Sequence, residues 1–185
     1  MNEFLIYRLG RALALSFFAA GFLTAYPLVL ILSFVLDGHP PGEDIATAAV
    51  EAWAGRLVGF SHDRGRGLIA VVQGPRANVA VLLTGVETCP DDLEGAAEAV
   101  QWLQRTFHPG QPVAVFLMQP ASPERLAVGH LACENEWLNG ALVQQGLARV
   151  THRNPGQQQN VGRGALLQLQ AQAQLNRAGI WRRDL

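Results

Sequence analysis

Apolar and polar positions divide the chain into an uncharged block, a short polar connection and a mixed remainder. From Ala12 to Leu36 run twenty-five residues without a charge, ALALSFFAAGFLTAYPLVLILSFVL, where a spanning helix needs only about 20. The block predicts a transmembrane anchor. A cleaved signal peptide is the alternative, but its apolar core is about 7–15 residues long with a small-residue site close behind. Here the nearest Ala-x-Ala, Ala46 to Ala48, lies ten residues past the end of the block. Pro27 falls mid-span, where it removes one backbone hydrogen bond that neighbouring helices can compensate. Arg8 and Arg11 precede the span and Asp37, Glu43 and Asp44 follow it. That cation bias keeps the N-terminus inside and the rest of the chain on the opposite side. The expected setting is a bacterial inner membrane facing periplasm or a mitochondrial inner membrane facing the intermembrane space.

Beyond the block, Asp37 to Asp44 (DGHPPGED) is a linker by its Pro, Gly and acid content. Ile45 to Ala54 is Ala-rich and follows an acidic pair, which predicts a short helix. Three β-like runs come next, Arg56 to Ser61, Gly67 to Gln73 and Asn78 to Thr84, the first two joined by the turn-like HDRGR. Pro90-Asp91-Asp92 opens a helix to about Phe107, with Leu93, Ala96, Val100, Leu103 and Phe107 on one face. Pro112 to Met118 and Arg125 to Cys133 predict two more strands. In WLNGALVQQGLARV, Asn139 reads as a helix cap, Gly146 as a helix stop and Leu147 to Val150 as a short closing strand. A last helix spans about Gly162 to Ala178, with Leu166, Leu167, Ala171, Leu175 and Trp181 available for docking and Gln168, Gln170, Gln172 and Gln174 forming a polar face. These limits divide the chain into an anchor segment, 1–36, a linker with its helix, 37–55, and a folded domain, 56–185.

The 185 residues carry a net charge of −1, so no basic field points to nucleic acid. All fourteen cationic residues are Arg. Cys89 and Cys133 form no zinc-like spacing; two half-buried thiols are the first reading and a disulfide the second. His39, His108, His130 and His152 are scattered, and Trp53, Trp102 and Trp137 read as core or interface residues. The chain has no HExxH, Gly-rich phosphate loop or Ser-His-Asp order, and implies no cofactor.

Asn139, Ala141, Leu142, Val143, Gln145, Gly146, Leu147 and Ala148 match a pattern, Asn-x-Ala-Leu-Val-x-Gln-Gly-Leu-Ala, in which the chain resembles the staphylococcal nuclease family. A second match, Ala171-Gln172-Ala173 followed by Gly179-Ile180-Trp181, resembles that family's last helix and closing aromatic. With weaker likeness upstream, the resemblance covers Arg56 to Arg183. It implies an α+β fold: a five-stranded OB-type β-barrel with packed helices, here preceded by one transmembrane helix.

The activity implied by the resemblance is phosphodiester hydrolysis. It needs Ca²⁺ on carboxylates, a Glu that activates water and two Arg residues that neutralise developing charge. Where the family's first hairpin turn carries Asp-Gly-Asp, this chain has Arg64-Gly65-Arg66. Where the third strand ends in Arg-Leu-x-x-x-Asp-x-Pro-Glu, Leu82 replaces the Arg, Glu87 the Asp and Pro90 the general base. The second Arg position, before Leu126-Ala127, holds Glu124; a register slip would bring Asp63 or Arg125 nearer the old places, but no single slip restores the set. Glu87 is the residual catalytic candidate, and no metal site is expected.

The expected function is a catalytically inactive, membrane-anchored nuclease-like domain. It would serve as an accessory or scaffold subunit of a membrane protein complex, of which an energy-transducing one is an example. Its partners are other membrane-protein subunits, met through the helix and the domain surface, in contact with membrane and without nucleic acid. One alternative is a membrane-anchored calcium-dependent nuclease with a rearranged site at Glu87. Another is a binding module for phosphate, nucleic acid or anionic lipid, with Arg64, Arg66 and Arg76 as phosphate-binding candidates beside His62.

Overall fold

The computed structural model describes residues 45, 47–88, 93–123, 125–134, 136–151 and 162–182. The predicted anchor with Pro27, the linker and most of the polar loop after Val150 lie outside them. Among the described residues no helix is long and apolar enough to cross a membrane. The elements, in chain order, are strands β1 (Glu51–Asp63), β2 (Gly67–Gln73), β3 (Asn78–Leu83) and β4 (Val86–Glu87), then helix α1 (Leu93–Thr106). Strands β5 (Pro112–Gln119), β6 (Ala127–Cys133) and β7 (Glu136–Trp137) follow, then helix α2 (Leu138–Gln144), strand β8 (Arg149–Val150), helix α3 (Arg163–Leu175) and a 3-10 turn (Gly179–Arg182).

The main sheet runs β3-β2-β1-β5-β6-β7, and β3 also pairs with β6 in parallel. That extra pairing closes β3, β2, β1, β5 and β6 into a five-stranded barrel, so the expected α+β, OB-type architecture is present. β1 makes the closure possible by serving two ladders. Residues 51–56 lie opposite β5 and residues 56–63 opposite β2, with a register shift between Leu57 and Gly59 that lets the strand bend. Alternation sets the interior: Leu68, Ala70 and Val72 of β2 are buried while Ile69 and Val71 between them are half-buried. β5 is buried from Val113 to Met118, as a strand covered on both faces must be.

Two sequence expectations change here. The helix predicted over Ile45 to Ala54 is reduced to a helical start, with Ala49 N–H donating to Ile45 C=O at 3.0 Å. From Glu51 the chain is strand, with Ala52 opposite Phe116 and Trp53 opposite Val115. An Ala-rich composition favours helix only weakly, whereas the backbone groups of β5 need partners, and that tertiary demand wins. The second change concerns α3. Leu166 and Ala173 are buried, but Leu167 is 44 % exposed and Leu175 is 85 % exposed, and Ala171 also faces outward. Gln170, expected on the polar face, turns inward and accepts from Val150 N–H at 2.7 Å.

α1 behaves as its pattern predicts. Ala96, Ala99, Leu103 and Phe107 are buried, and Phe107 meets Phe60 of β1 and Trp102 edge-on, with ring centroids 6.4 and 6.0 Å apart.

Asn139 is not the cap that its sequence context predicts. The residue at the helix start is Trp137, without a side-chain cap bond, and Asn139 lies inside the first turn, fully buried. Its Oδ1 accepts from Leu131 N–H of β6 at 3.2 Å, and its Nδ2 donates to Thr84 C=O, past the end of β3, at 2.8 Å. One amide thus joins the two strands that close the barrel to the helix lying on them.

Gly146 does stop α2, and it does so at φ +67°. Gly146 N–H donates to Val143 C=O and Leu147 N–H to Leu142 C=O, the paired bonds of a Schellman end. The same glycine lets the C-terminal turn dock: a Cβ there would lie 2.2 Å from Ala178 O, and Gly146 C=O accepts from Ile180 N–H at 2.9 Å.

Candidate functional site

The residues singled out for chemistry lie mostly where β1 turns into β2 and where β3 runs on into β4. Asp63 makes that turn: its Oδ1 accepts from Gly65 N–H at 2.9 Å and from Arg66 N–H at 3.0 Å. A short acidic side chain bonding the backbone two and three residues on is a standard way to fix such a turn. The carboxylate considered as a displaced metal ligand is therefore bound to its own loop. Arg64 and Arg66 flank it in the open. His62, the residue before the turn, reaches across to the chain after β4, with its Nε2 3.1 Å from Thr88 Oγ1. That contact places the turn and the Glu87 region at one end of the barrel.

Arg76 is elsewhere. It sits between β2 and β3, whereas Arg64 and Arg66 sit between β1 and β2. The two turns are separated by the length of β2, roughly 20 Å at about 3.3 Å per residue. The structure does not bring the three proposed phosphate-binding arginines together. Consecutive hairpin turns of a meander fall at opposite ends by construction.

Glu87 is held on both sides. β4 pairs with β8 so that Glu87 lies directly opposite Arg149. Arg149 Nε donates to Glu87 Oε1 at 3.0 Å, with the two side chains 36 % and 24 % exposed. Thr151 Oγ1 donates to Glu87 Oε2, also at 3.0 Å. Thr151 is itself fixed: its N–H donates to Gly85 C=O at 3.1 Å, and its C=O accepts from Arg163 Nη1, at the start of α3, at 2.8 Å. Each carboxylate oxygen thus has a designated donor, one within β8 and one just after it.

Sequence reasoning missed Arg149, Thr151 and Arg163, because pairing across 62 and 64 positions leaves no local signal. Only the alternation of Leu147-Ala148-Arg149-Val150, which turns Arg149 away from buried Ala148 and Val150, hinted that Arg149 was available for a polar contact.

The remaining positions give no substitute. Leu82 lies within β3, opposite Ile69 on one side and Val128 on the other. Arg125 is exposed in a small bridge with Ser122. Pro90 and Glu124 lie outside the described residues. Among the described residues no group of three or more His, Cys, Asp or Glu side chains could hold a metal ion.

A calcium ion does not fit this arrangement. It takes six to eight oxygens at about 2.3–2.6 Å, and Glu87 would have to release its donors to supply two. A cation there meets a guanidinium at the same range as the carboxylate. Unit charges about 4 Å apart interact by about 4 kcal/mol at an effective dielectric near 20, so repulsion from Arg149 offsets attraction to Glu87.

Of the other candidates, Cys133 is a free, buried thiol whose Sγ lies 3.4 Å from Pro112 O. Burial, then the neighbouring Glu134 and Glu136, push it up to about 11. It is therefore protonated and unreactive near neutrality. His130 is buried against Trp137, whose Nε1 donates to His130 Nδ1 at 3.3 Å, so it is a core residue.

A closed five-stranded barrel with a helix between its third and fourth barrel strands, and helices packed after the fifth, defines an OB-type α+β domain. Residues 96–183 match the family model described as Staphylococcal nuclease homologue, so over that stretch the chain is similar to that family. The match begins within α1 and takes in β5 to β8, α2, α3 and the C-terminal turn, downstream of Glu87 and the β1–β2 turn. No curated protein matches the chain.

Proposed function

We propose that this chain is a catalytically inactive, membrane-anchored nuclease-like domain that serves as an accessory or scaffold subunit of a membrane protein complex. The observation that carries the proposal is the state of Glu87. A residue that must bind a metal ion is instead tied at both oxygens, by Arg149 and by Thr151. Around it a turn that in the resembling family is acidic is here Arg64-Gly65-Arg66, and Asp63 is spent on the turn itself. The uncharged run from Ala12 to Leu36 supplies the anchor, with the domain on the side opposite the N-terminus. Other membrane subunits are the partners, met through that helix and the domain surface.

The test uses the full chain, extracted from its own membranes in mild detergent. Single-stranded DNA and Ca²⁺ are added, and the protein composition of the same preparation is measured. The expected result is no cleavage above a blank, together with membrane proteins in fixed ratio to the chain. Calcium-dependent cleavage that disappears in Glu87→Gln would overturn the reading, as would a preparation containing no other membrane protein.

A further inference from the structure

The outer side of α3 belongs neither to the barrel core nor to the Glu87 region. Leu166 and Ala173 are buried, which fixes the inward side of the helix. Leu167, Ala171 and Leu175, spaced four apart, lie outward and exposed, with Leu175 85 % exposed. α3 is therefore apolar on two sides, and among the described residues only the inward one is covered. An exposed apolar row marks an interaction surface more often than a lone leucine does.

Two observations say what meets that row. The first is the sign of the charge around it. From Gly162 to Arg182 the chain carries Arg163, Arg177 and Arg182 and no acidic residue, although the whole protein has a net charge of −1. Arg177 and Arg182, just past the end of the helix, are exposed. An apolar row flanked by cations alone is complementary to a surface that is anionic on top and apolar beneath. The second is where the chain enters the domain. Ile45 is fully buried, and a Cβ on Gly162, at the start of α3, would lie 3.3 Å from its Cδ1. Residues 37–44 join Ile45 to the uncharged run, and those eight residues span at most about 29 Å. α3 has 13 residues and is about 20 Å long. A helix that begins at the tether and is shorter than it can lie flat on the bilayer along its full length.

We infer that the outer side of α3 docks on the anionic phospholipid surface of the membrane that holds the chain, which rests on reading Ala12 to Leu36 as an anchor. Leu167, Ala171 and Leu175 enter the boundary between headgroups and acyl chains, to a depth of about 5–10 Å. The exposed Gln168, Gln172 and Gln174 stand beside the row at headgroup level, where an amide both donates and accepts. Arg177 and Arg182 meet lipid phosphates. Two leucines and an alanine would hold a free domain only weakly. The anchor makes the contact intramolecular, so a weak site stays occupied. Docking then turns one fixed side of the domain towards the membrane.

The test uses the full chain in vesicles of phosphatidylcholine and phosphatidylglycerol, with Cys89→Ser to leave Cys133 buried as the native thiol. A polarity-sensitive fluorophore is attached at Leu175→Cys or, as the control, at Gln101→Cys on the exposed side of α1. Some lipids carry a nitroxide quencher on the acyl chain. The label at position 175 should be blue-shifted and quenched at least about twice as strongly as the label at 101. Arg177→Gln with Arg182→Gln should weaken docking by at least about tenfold. Equal quenching at both positions, in chains that stay in the vesicles through an alkaline carbonate wash, would overturn the docking and leave the anchor standing. A label at 175 that is blue-shifted but not quenched would mean that protein covers the row, and quenching indifferent to the two arginines would remove the role of lipid charge; either overturns the inference. Release of the chain by carbonate would overturn the anchor, and this inference with it.

Discussion

Replacing Asn139 with alanine separates what this residue does in the folded protein from what its sequence context suggests. If it were only a helix cap, the loss would be about 1 kcal/mol, and Asn139→Ser would recover most of it. In the structure its amide serves two buried backbone groups, Leu131 N–H of β6 and Thr84 C=O just past β3. Alanine leaves both without this partner, at about 1–3 kcal/mol each. The better helix propensity of alanine returns less than about 1 kcal/mol. The net loss is therefore about 1–6 kcal/mol, centred at about 3, a large part of the 5–15 kcal/mol that holds a typical domain. Serine cannot span both groups, so it should do little better than alanine. The measurement is urea unfolding of the full chain followed by tryptophan fluorescence, where the midpoint should fall with little change in slope. A loss near 1 kcal/mol that serine restores would show that the bridge between β3, β6 and α2 contributes nothing, and would refute the reasoning.

Gly146→Ala should undo the docking of the C-terminal turn, because it combines a left-handed backbone with a Cβ placed 2.2 Å from Ala178 O. The strain alone is about 1–2 kcal/mol, and the clash adds to it. Hydrogen exchange at Asn176 to Arg182 should accelerate well before exchange in β5 or β6, and unchanged protection there would contradict the close approach. For Cys133, an Ellman reagent at about pH 8 should fail to react in a Cys89→Ser background until the protein unfolds. Burial, then Glu134 and Glu136, push its thiol up to about 11 in the fold. The folded state holds that proton more tightly, so this contribution to stability is complete below about pH 9 and is lost as pH rises towards 11. A midpoint that stays level over that window, compared with Cys133→Ala, would disprove the coupling.

Sequence alone determined the elements whose signals are local. The face of α1 made of Ala96, Leu103 and Phe107 follows from helical spacing. The end of α2 at Gly146 follows from the freedom of glycine at positive φ. The turn over HDRGR and the strands β2, β3 and β5 follow from composition and punctuation. Only tertiary structure decided the rest. Glu51 to Ala54 became strand because β5 offered a ladder to residues whose own preference is weak. Helical periodicity identified an apolar face on α3, but which leucines dock depended on the fit of Leu166 against the barrel, which left Leu167 and Leu175 outside. Glu87 met Arg149 and Thr151 because β4 pairs with β8, and nothing local in a sequence records which distant strand lies alongside. Arg76 parted from Arg64 and Arg66 for the same reason: a chain position says which turn a side chain belongs to, and only the sheet says at which end that turn lies.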